Sequence, residues 1–135
     1  MNFLSLIKRK LIYKIKKKKI IDKDIFERNS LDYLLHHYGS DKAEHFKIKD
    51  SKGHGFSKFY SKHLSELKNQ KINILELGSY AGASAAAFVK YFSQSKVFCF
   101  DINISNFLYS SKKIFVYGVD IKNEGKIDSI IKKIF

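Results

Sequence analysis

Two short apolar runs on either side of a glycine-containing turn constrain the fold of this chain more than any other feature. The first run, Ile72 to Leu77, is followed by a turn at Gly78 to Gly82 and by a helical pattern over Ala83 to Phe92. The second run, Val97 to Phe100, ends at Asp101. Continuously apolar strands separated by a helix are typical of a parallel sheet covered on both faces. The sequence therefore predicts an α/β fold.

The remaining chain after Asp101 extends this pattern. Ile114 to Tyr117 predicts a third strand, and a final helical stripe consists of Ile127, Ile130, Ile131 and Ile134. Only the twelve residues from Ile102 to Lys113 separate the second strand from the third. Because this is short for a parallel crossover, we expect a loop or a short helix there.

Two further helices are predicted before the first strand. Ser30 is a suitable N-cap for a helix that ends at Gly39 and buries Leu31, Leu34, Leu35 and Tyr38. Residues 40–54 are polar and predict a loop. A second helix is expected from Ser57 to near Asn69, with an apolar face formed by Phe59, Tyr60, Leu64 and Leu67.

The first 24 residues form a basic amphipathic segment. Its apolar stripe recurs at helical spacing and consists of Leu4, Ile7, Leu11 and Ile15. Eight lysines lie between Lys8 and Lys23. Such a helix can lie on anionic lipid. The alternative, which we favour, is a solvated helix or frayed tail whose apolar stripe packs on its own domain.

Composition narrows the class of protein. A length of 135 residues predicts one domain. The net charge of +13 suggests nucleic acid, but Arg9 and Arg28 are the only arginines, so we expect no specific nucleic-acid role. The single cysteine, Cys99, excludes an intrachain disulfide framework and is expected to lie in the core. We expect a cytoplasmic protein, at most peripheral to the membrane.

The chemistry is concentrated in the turn after the first strand. A turn of small residues lets a ligand approach the backbone, and the helix that follows offers free N–H groups. Asp101 lies 19 residues after Gly82, a spacing that suits an acid accepting hydrogen bonds from both ribose hydroxyls of an adenosine-type cofactor.

The glycine pattern of this turn narrows the choice of cofactor. The dinucleotide pattern G-x-G-x-x-G would need glycines at Tyr80 and Ala83, and the P-loop pattern would need a lysine that the turn lacks. The turn instead has the form E-x-G-x-x-x-G-x-S, beginning at Glu76. A carboxylate there would repel a pyrophosphate but suits a ligand that bears an ammonium and a sulfonium.

At this level of detail the sequence resembles a known family. ILELGSYAGAS followed by KVFCFDIN resembles motifs I and II of the class I S-adenosylmethionine-dependent methyltransferases. Upstream, YGSDK and HGFSKFY are similar to the G-T-D-K…H-x-Y…Y segment of macrocin- and mycinamicin-type sugar O-methyltransferases. The resemblance extends from about Tyr38 to about Asp120.

The resemblance assigns cofactor-binding roles to nine residues. Gly78, Ser79 and Gly82 would form the turn at the methionine end of S-adenosylmethionine, with Glu76 helping to hold it. Asp101 would bind the ribose, and Asp120 would lie near the adenine. Asp41, Lys42 and Tyr60 would belong to a cap segment over the cofactor, together with His54. Phe56 stands where the family has a tyrosine, so a hydroxyl is missing there.

The resemblance also implies a Rossmann-like fold of which this chain supplies the N-terminal half. We expect three parallel strands in the order 3-2-1, with Ile72 to Leu77 as an unpaired edge that favours oligomers. The chain divides into a basic segment (1–24), a helical cap (25–70) and a partial cofactor-binding core (71–135). We expect a C-terminally truncated member, with metal ligands and catalytic residues present only in a full-length relative.

The expected function is methylation of a sugar or another small hydroxylated substrate, with S-adenosylmethionine as cofactor. No catalytic base or metal site is assigned in this chain. The alternative function is that of a noncatalytic basic module that associates with anionic membrane or nucleic acid.

Overall fold

Within residues 2–135, the computed structural model has five α-helices and seven β-strands. The helices are α1 (Phe3–Ile15), α2 (Leu31–Tyr38), α3 (Phe56–Leu64), α4 (Ala83–Tyr91) and α5 (Glu124–Ile134). The strands are β1 (Lys19–Ile20), β2 (His45–Phe46), β3 (Ser51–Lys52), β4 (Ile72–Leu77), β5 (Ser95–Asp101), β6 (Tyr109–Ser110) and β7 (Ile114–Gly118). Short 3₁₀ helices occupy Lys47–Lys49, Ser65–Leu67 and Ile104–Asn106. None of these helices combines the length and the apolar composition needed to cross a bilayer.

The central sheet consists of β4, β5 and β7, and all its pairs are parallel. In its register, Val97 of β5 lies opposite Ile74 of β4 on one side and opposite Ile114 of β7 on the other. The strand order read from β7 to β4 is therefore 3-2-1, which confirms the predicted α/β topology. In the described part of the chain β4 pairs with β5 alone, so it is an edge strand as expected.

The main hydrophobic core lies on the face of the sheet that α4 covers. Ala85, Ala86 and Ala87 are fully buried, and their small side chains let α4 pack closely between β5 and α2. Cys99 of β5 belongs to this core, as predicted. On the opposite face a smaller cluster forms around Phe98 and Phe100, against which the isoleucines of α5 pack. The sheet is thus covered on both faces, as its apolar strands require.

The N-terminal helix packs on the protein, but with a different face from the one expected. The predicted apolar stripe is exposed to solvent, with exposed fractions of 69% for Leu4, 55% for Leu11 and 83% for Ile15. The contact face instead carries Arg9, Tyr13 and Lys16, which reach the segment after β5. The expectation that the apolar stripe docks on the domain is therefore wrong.

Two small sheets lie outside the three predicted strands. β2 and β3 form an antiparallel pair inside the polar segment 40–54, with His45 opposite Lys52. β1 and β6 form a parallel pair, with Lys19 opposite Tyr109. The segment between β5 and β7 therefore contains both the short helix expected there and a two-residue strand.

Candidate functional site

The turn between β4 and α4 has the backbone conformation that its glycines permit. Gly78 (φ +80°), Tyr80 (φ +44°) and Gly82 (φ +78°) all have left-handed backbones. A Cβ added to Gly82 would lie 2.3 Å from Cζ of Phe107, whereas one added to Gly78 would meet nothing within 4 Å. Gly82 is therefore needed for packing against the core, while Gly78 leaves open space beside the turn.

Glu76, at the end of β4, is a buried carboxylate with incomplete hydrogen bonding. Its side chain is only 9% exposed. Oε1 accepts a hydrogen bond from Oγ of Ser84 and lies 3.8 Å from Nζ of Lys42. Oε2 is buried and has no hydrogen-bond partner among residues 2–135. Because an unpartnered buried carboxylate oxygen is costly, this atom is suited to accept from a cationic donor on a ligand.

Asp101, at the end of β5, holds the adjoining loops in place. Its Oδ2 accepts a hydrogen bond from the backbone N of Tyr80 at 2.7 Å, and its Oδ1 accepts one from the backbone N of Asn103, also at 2.7 Å. The sequence offered no structural reason for an acid after the apolar run, and these two bonds supply one. Each carboxylate oxygen retains a further lone pair with which it can accept from a ligand.

The YGSDK and HGFSKFY segments, which are separated in sequence, lie side by side in the fold. The backbone N of His54 donates to the carbonyl oxygen of Asp41 at 2.7 Å. The backbone N of Ser57 donates to the carbonyl oxygen of Lys42 at 3.1 Å. Nε2 of His54 lies 3.4 Å from Oδ2 of Asp41. A Cβ at Gly53 would lie 2.0 Å from the carbonyl oxygen of Ala43, so only glycine permits this approach.

Three cavities adjoin Gly78, and the first of them extends along β4 as far as Ile72. One of about 520 Å³ is lined by Lys42, Tyr60 and Glu76 together with apolar residues of β4 and α4. A second, of about 510 Å³, is lined by Asp41, Lys42, Ser79 and Ser84. A third, of about 250 Å³, lies between Asp101 and Asp120. Gly78 lines all three cavities, so each of them adjoins the turn after β4, and we refer to the three together as the cleft.

Eight of the nine predicted site residues line this cleft, and Gly82 instead packs on Phe107. The cleft residues include four carboxylates, those of Asp41, Glu76, Asp101 and Asp120. Burial, and secondarily the charge of Glu76, raises the pKa of the Tyr60 hydroxyl. The lining also carries Lys42 and Lys49, so carboxylates outnumber ammonium groups by four to two, and this excess favours a cationic ligand.

Comparison with known proteins connects this geometry to a known fold. No protein-family model and no curated protein matches the chain. Among solved structures, the chain is similar to the MycE methyltransferase from the mycinamycin biosynthetic pathway in complex with Mg, SAH and mycinamycin VI, with a TM-score of 0.65 and 19% identity. A second MycE structure, with Mg and SAH, matches with a TM-score of 0.64 and 19% identity.

The chain shares the Rossmann-like α/β fold of part of the MycE structures. The similarity covers 79% of this chain and 29% of the first MycE chain, and 77% and 28% for the second. The predicted resemblance to mycinamicin-type methyltransferases is thereby confirmed at the level of the fold.

One residue that lines the candidate site was not assigned to it from the sequence. Ser84, in the first turn of α4, donates to Glu76 and lines the cleft. The pattern E-x-G-x-x-x-G-x-S contains both residues, so the signal was present. Because β4 ends beside the first turn of α4, the first and last positions of this pattern come together. Within residues 2–135, no group of three or more His, Cys, Asp and Glu side chains is placed to hold a metal ion.

Proposed function

We propose that this chain binds S-adenosylmethionine in the cleft at the carboxyl edge of its sheet and serves in methyl transfer to a hydroxyl group of a small molecule. The observation that supports this most directly is the buried, unpartnered Oε2 of Glu76 in a cleft with three further carboxylates. S-adenosylmethionine bears two positive groups, an ammonium and a sulfonium. A dinucleotide or nucleoside triphosphate, with its anionic phosphates, would be repelled there.

Each residue of the cleft has a separate task in this proposal. Oε2 of Glu76 accepts a hydrogen bond from the ligand ammonium, and Lys42, on the same side, offers a positive charge for the ligand carboxylate. Asp101 accepts from the ribose hydroxyls with the lone pairs that Tyr80 and Asn103 leave free. The open space at Gly78 lets the ligand approach the turn closely. Asp120, across the third cavity, lies on the adenine side.

When bound, the cofactor would supply an electrophilic methyl group: its S–CH₃ bond would break with S-adenosylhomocysteine as the leaving group, an O–CH₃ bond would form, and the hydroxyl proton would pass to solvent water. The support for a small-molecule acceptor is the likeness to MycE, which has been solved with SAH and mycinamycin VI. A saccharide hydroxyl is the acceptor that we propose, because the GSDK and HGFSKFY segments resemble those of sugar O-methyltransferases.

Calorimetric titration tests the cofactor assignment. S-adenosylmethionine, S-adenosylhomocysteine and NAD are titrated separately into the wild-type chain and into Asp101→Ala. We expect the two adenosyl ligands to bind and NAD to bind more weakly or not at all. Each charge-assisted hydrogen bond contributes about 1.5–3 kcal/mol, so Asp101→Ala should weaken adenosyl-ligand binding by roughly tenfold to several hundredfold.

Control variants distinguish the loss of a hydrogen bond to the ligand from disruption of the loops that Asp101 holds in place. Asp101→Asn keeps one acceptor oxygen and should weaken binding less than Asp101→Ala. Asp128→Ala, at an exposed position on α5, should leave the affinity unchanged. Circular dichroism of each variant checks that the chain remains folded. A folded wild-type chain that binds neither adenosyl ligand, or that prefers NAD, would contradict the proposal.

A further inference from the structure

Helix α1 is anchored to the protein through polar and aromatic contacts. Nη1 of Arg9 donates to the carbonyl oxygen of Ile102 at 3.2 Å, and Nζ of Lys16 donates to that of Ser105 at 3.0 Å. The ring of Tyr13 packs edge-on against Phe107, with 6.4 Å between centroids. At 100° per residue, Arg9, Tyr13 and Lys16 lie on one side of the helix. The side chain of Asn2 caps the first turn by accepting from the backbone N of Leu4.

The opposite side of α1 is an outward-facing apolar arc, which we define as Phe3, Leu4, Ile7, Leu11 and Ile15. Their exposed fractions are 73%, 69%, 40%, 55% and 83%, respectively. At 100° per residue these five positions fall within about 120° of the helix circumference. A surface helix normally turns its apolar stripe toward the core. Here that arrangement is reversed, and a covering partner is the usual reason for a contiguous exposed apolar surface.

The charges around the arc indicate which partner would cover it. No aspartate or glutamate precedes Asp22 in the sequence. Lys8, Lys10 and Lys14 are exposed on α1, although Lys10 and Lys14 also line a cavity that α1 forms with β7 and α5, and Lys17 and Lys19 follow the helix. Lys18 is engaged separately, since its Nζ lies over the Tyr13 ring, 3.9 Å from its centroid. Exposed lysines beside inserted aliphatic side chains are the pattern of helices that lie in the interface of an anionic bilayer.

Other partners fit this surface less well. A second copy of the chain would bring the two lysine sets together and would be opposed by their repulsion. A nucleic acid would use the lysines but leave the five apolar side chains in water. Of these three partners, a negatively charged lipid surface satisfies both the apolar arc and the lysines.

We propose that α1 is an interfacial anchor that binds the surface of an anionic lipid bilayer, with its apolar arc inserted among the acyl chains. The helix, 13 residues long, is about 20 Å in length and lies parallel to the surface. Its depth would be about 5–10 Å, at the boundary between headgroups and acyl chains. The proposal does not depend on cofactor binding.

Vesicle sedimentation of the full chain tests the anchor. The wild-type protein should sediment with phosphatidylcholine vesicles that contain phosphatidylserine, but not with phosphatidylcholine alone, and added salt should weaken the binding. The double variant Ile7→Ser/Leu11→Ser changes only exposed side chains. We expect it to bind at least about tenfold more weakly, because two inserted aliphatic groups are lost. The matched control, Ile25→Ser/Ile48→Ser, removes two isoleucines that are 94% and 71% exposed outside α1 and should bind as the wild type does.

A fluorescent reporter gives an independent readout. The chain has no tryptophan, so Leu4→Trp introduces a single one into the apolar arc. Its emission should shift to shorter wavelength when phosphatidylserine-containing vesicles are added, whereas that of Ile25→Trp should not.

Four results would overturn the proposal. One is a wild-type chain that stays in the supernatant, and another is vesicle binding that the double variant does not weaken. The third is concentration-dependent dimerisation that the double variant abolishes while lipid binding is absent, which would make the partner a second copy. The fourth is tight binding to duplex DNA, without lipid binding, that Lys8→Glu/Lys14→Glu removes and Lys52→Glu/Lys122→Glu does not.

Discussion

Strands β4 and β5 lie side by side and have similar apolar sequences, yet their burial differs sharply. In β5, residues 97–100 are between 0% and 6% exposed, whereas in β4 Leu75 is 38% and Leu77 is 55% exposed. β5 has a strand on each side and a helix over each face, while β4 has one neighbouring strand among the described residues. The comparison shows that an apolar run predicts a strand, while its neighbours decide how much of that strand is buried.

The largest expected effect on stability is the loss of the Phe100 ring, and Leu77, its partner in the register of β4 and β5, provides the comparison. Phe100→Ala removes a fully buried ring and should lower the free energy of unfolding by about 3–5 kcal/mol. Leu77→Ala removes a half-exposed side chain and should cost about 1 kcal/mol or less. Urea unfolding followed by circular dichroism measures both. Equal losses would mean that β4 is as well covered as β5.

The two glycines of the turn after β4 provide a second, smaller contrast. Gly82→Ala combines left-handed strain with a clash against the Phe107 ring and should lower the free energy of unfolding by about 2–4 kcal/mol. Gly78→Ala has the strain but no clash, so about 1 kcal/mol is expected. In thermal denaturation the melting temperature of Gly82→Ala should therefore be lower than that of Gly78→Ala. The reverse order would contradict the packing role given to Gly82.

The buried thiol of β5 should make stability depend on alkaline pH. Burial, and secondarily the nearby Glu76 carboxylate, raises the pKa of Cys99 well above its usual value. The unfolded thiol therefore ionises first, so this contribution to stability is full below about pH 9 and is lost as the pH rises above it. Between about pH 9 and pH 10, the wild type should lose up to about 1 kcal/mol more than Cys99→Ala does, because one proton is involved.

Urea unfolding at a series of pH values measures, for each protein, the slope of the free energy of unfolding against pH. The tyrosines are common to both chains, so their ionisation cancels in the difference. Identical slopes for wild type and Cys99→Ala would show that the thiol is accessible in the folded state.

The smallest effect on stability is expected for a charge on the open edge of β4. Leu75→Lys should change the free energy of unfolding by less than about 0.5–1 kcal/mol, because the side chain can reach water. It should reduce self-association, since lysine on an edge strand disfavours pairing with another chain. Sedimentation velocity at several concentrations measures this, with Ser129→Lys on exposed α5 as a control of equal charge. Association that persists unchanged would show that the edge is not the contact.

Much of the candidate site could be predicted because its residues lie at strand ends. In a parallel sheet the carboxyl ends of adjacent strands meet at one edge, so Glu76 and Asp101 must lie at the same edge whatever the details of packing. The distance between Lys42 and Glu76 had no such rule behind it. It depends on how the cap packs against α4, which no local periodicity specifies. The structural role of Asp101 was also missed, because backbone donors such as the N–H of Tyr80 are not visible in a sequence.

By itself, the sequence determined the helices, the three parallel strands and the turn that joins β4 to α4, because periodicity, capping residues and glycines act over a few neighbouring positions. The tertiary structure alone decided which side of α1 faces the protein: Arg9, Tyr13 and Lys16 find partners after β5, and the apolar arc remains outside. It also decided the pairing of β1 with β6, where Lys19 lies opposite Tyr109. Contacts between residues some 90 positions apart depend on how whole helices and strands pack, so no local sequence pattern predicts them.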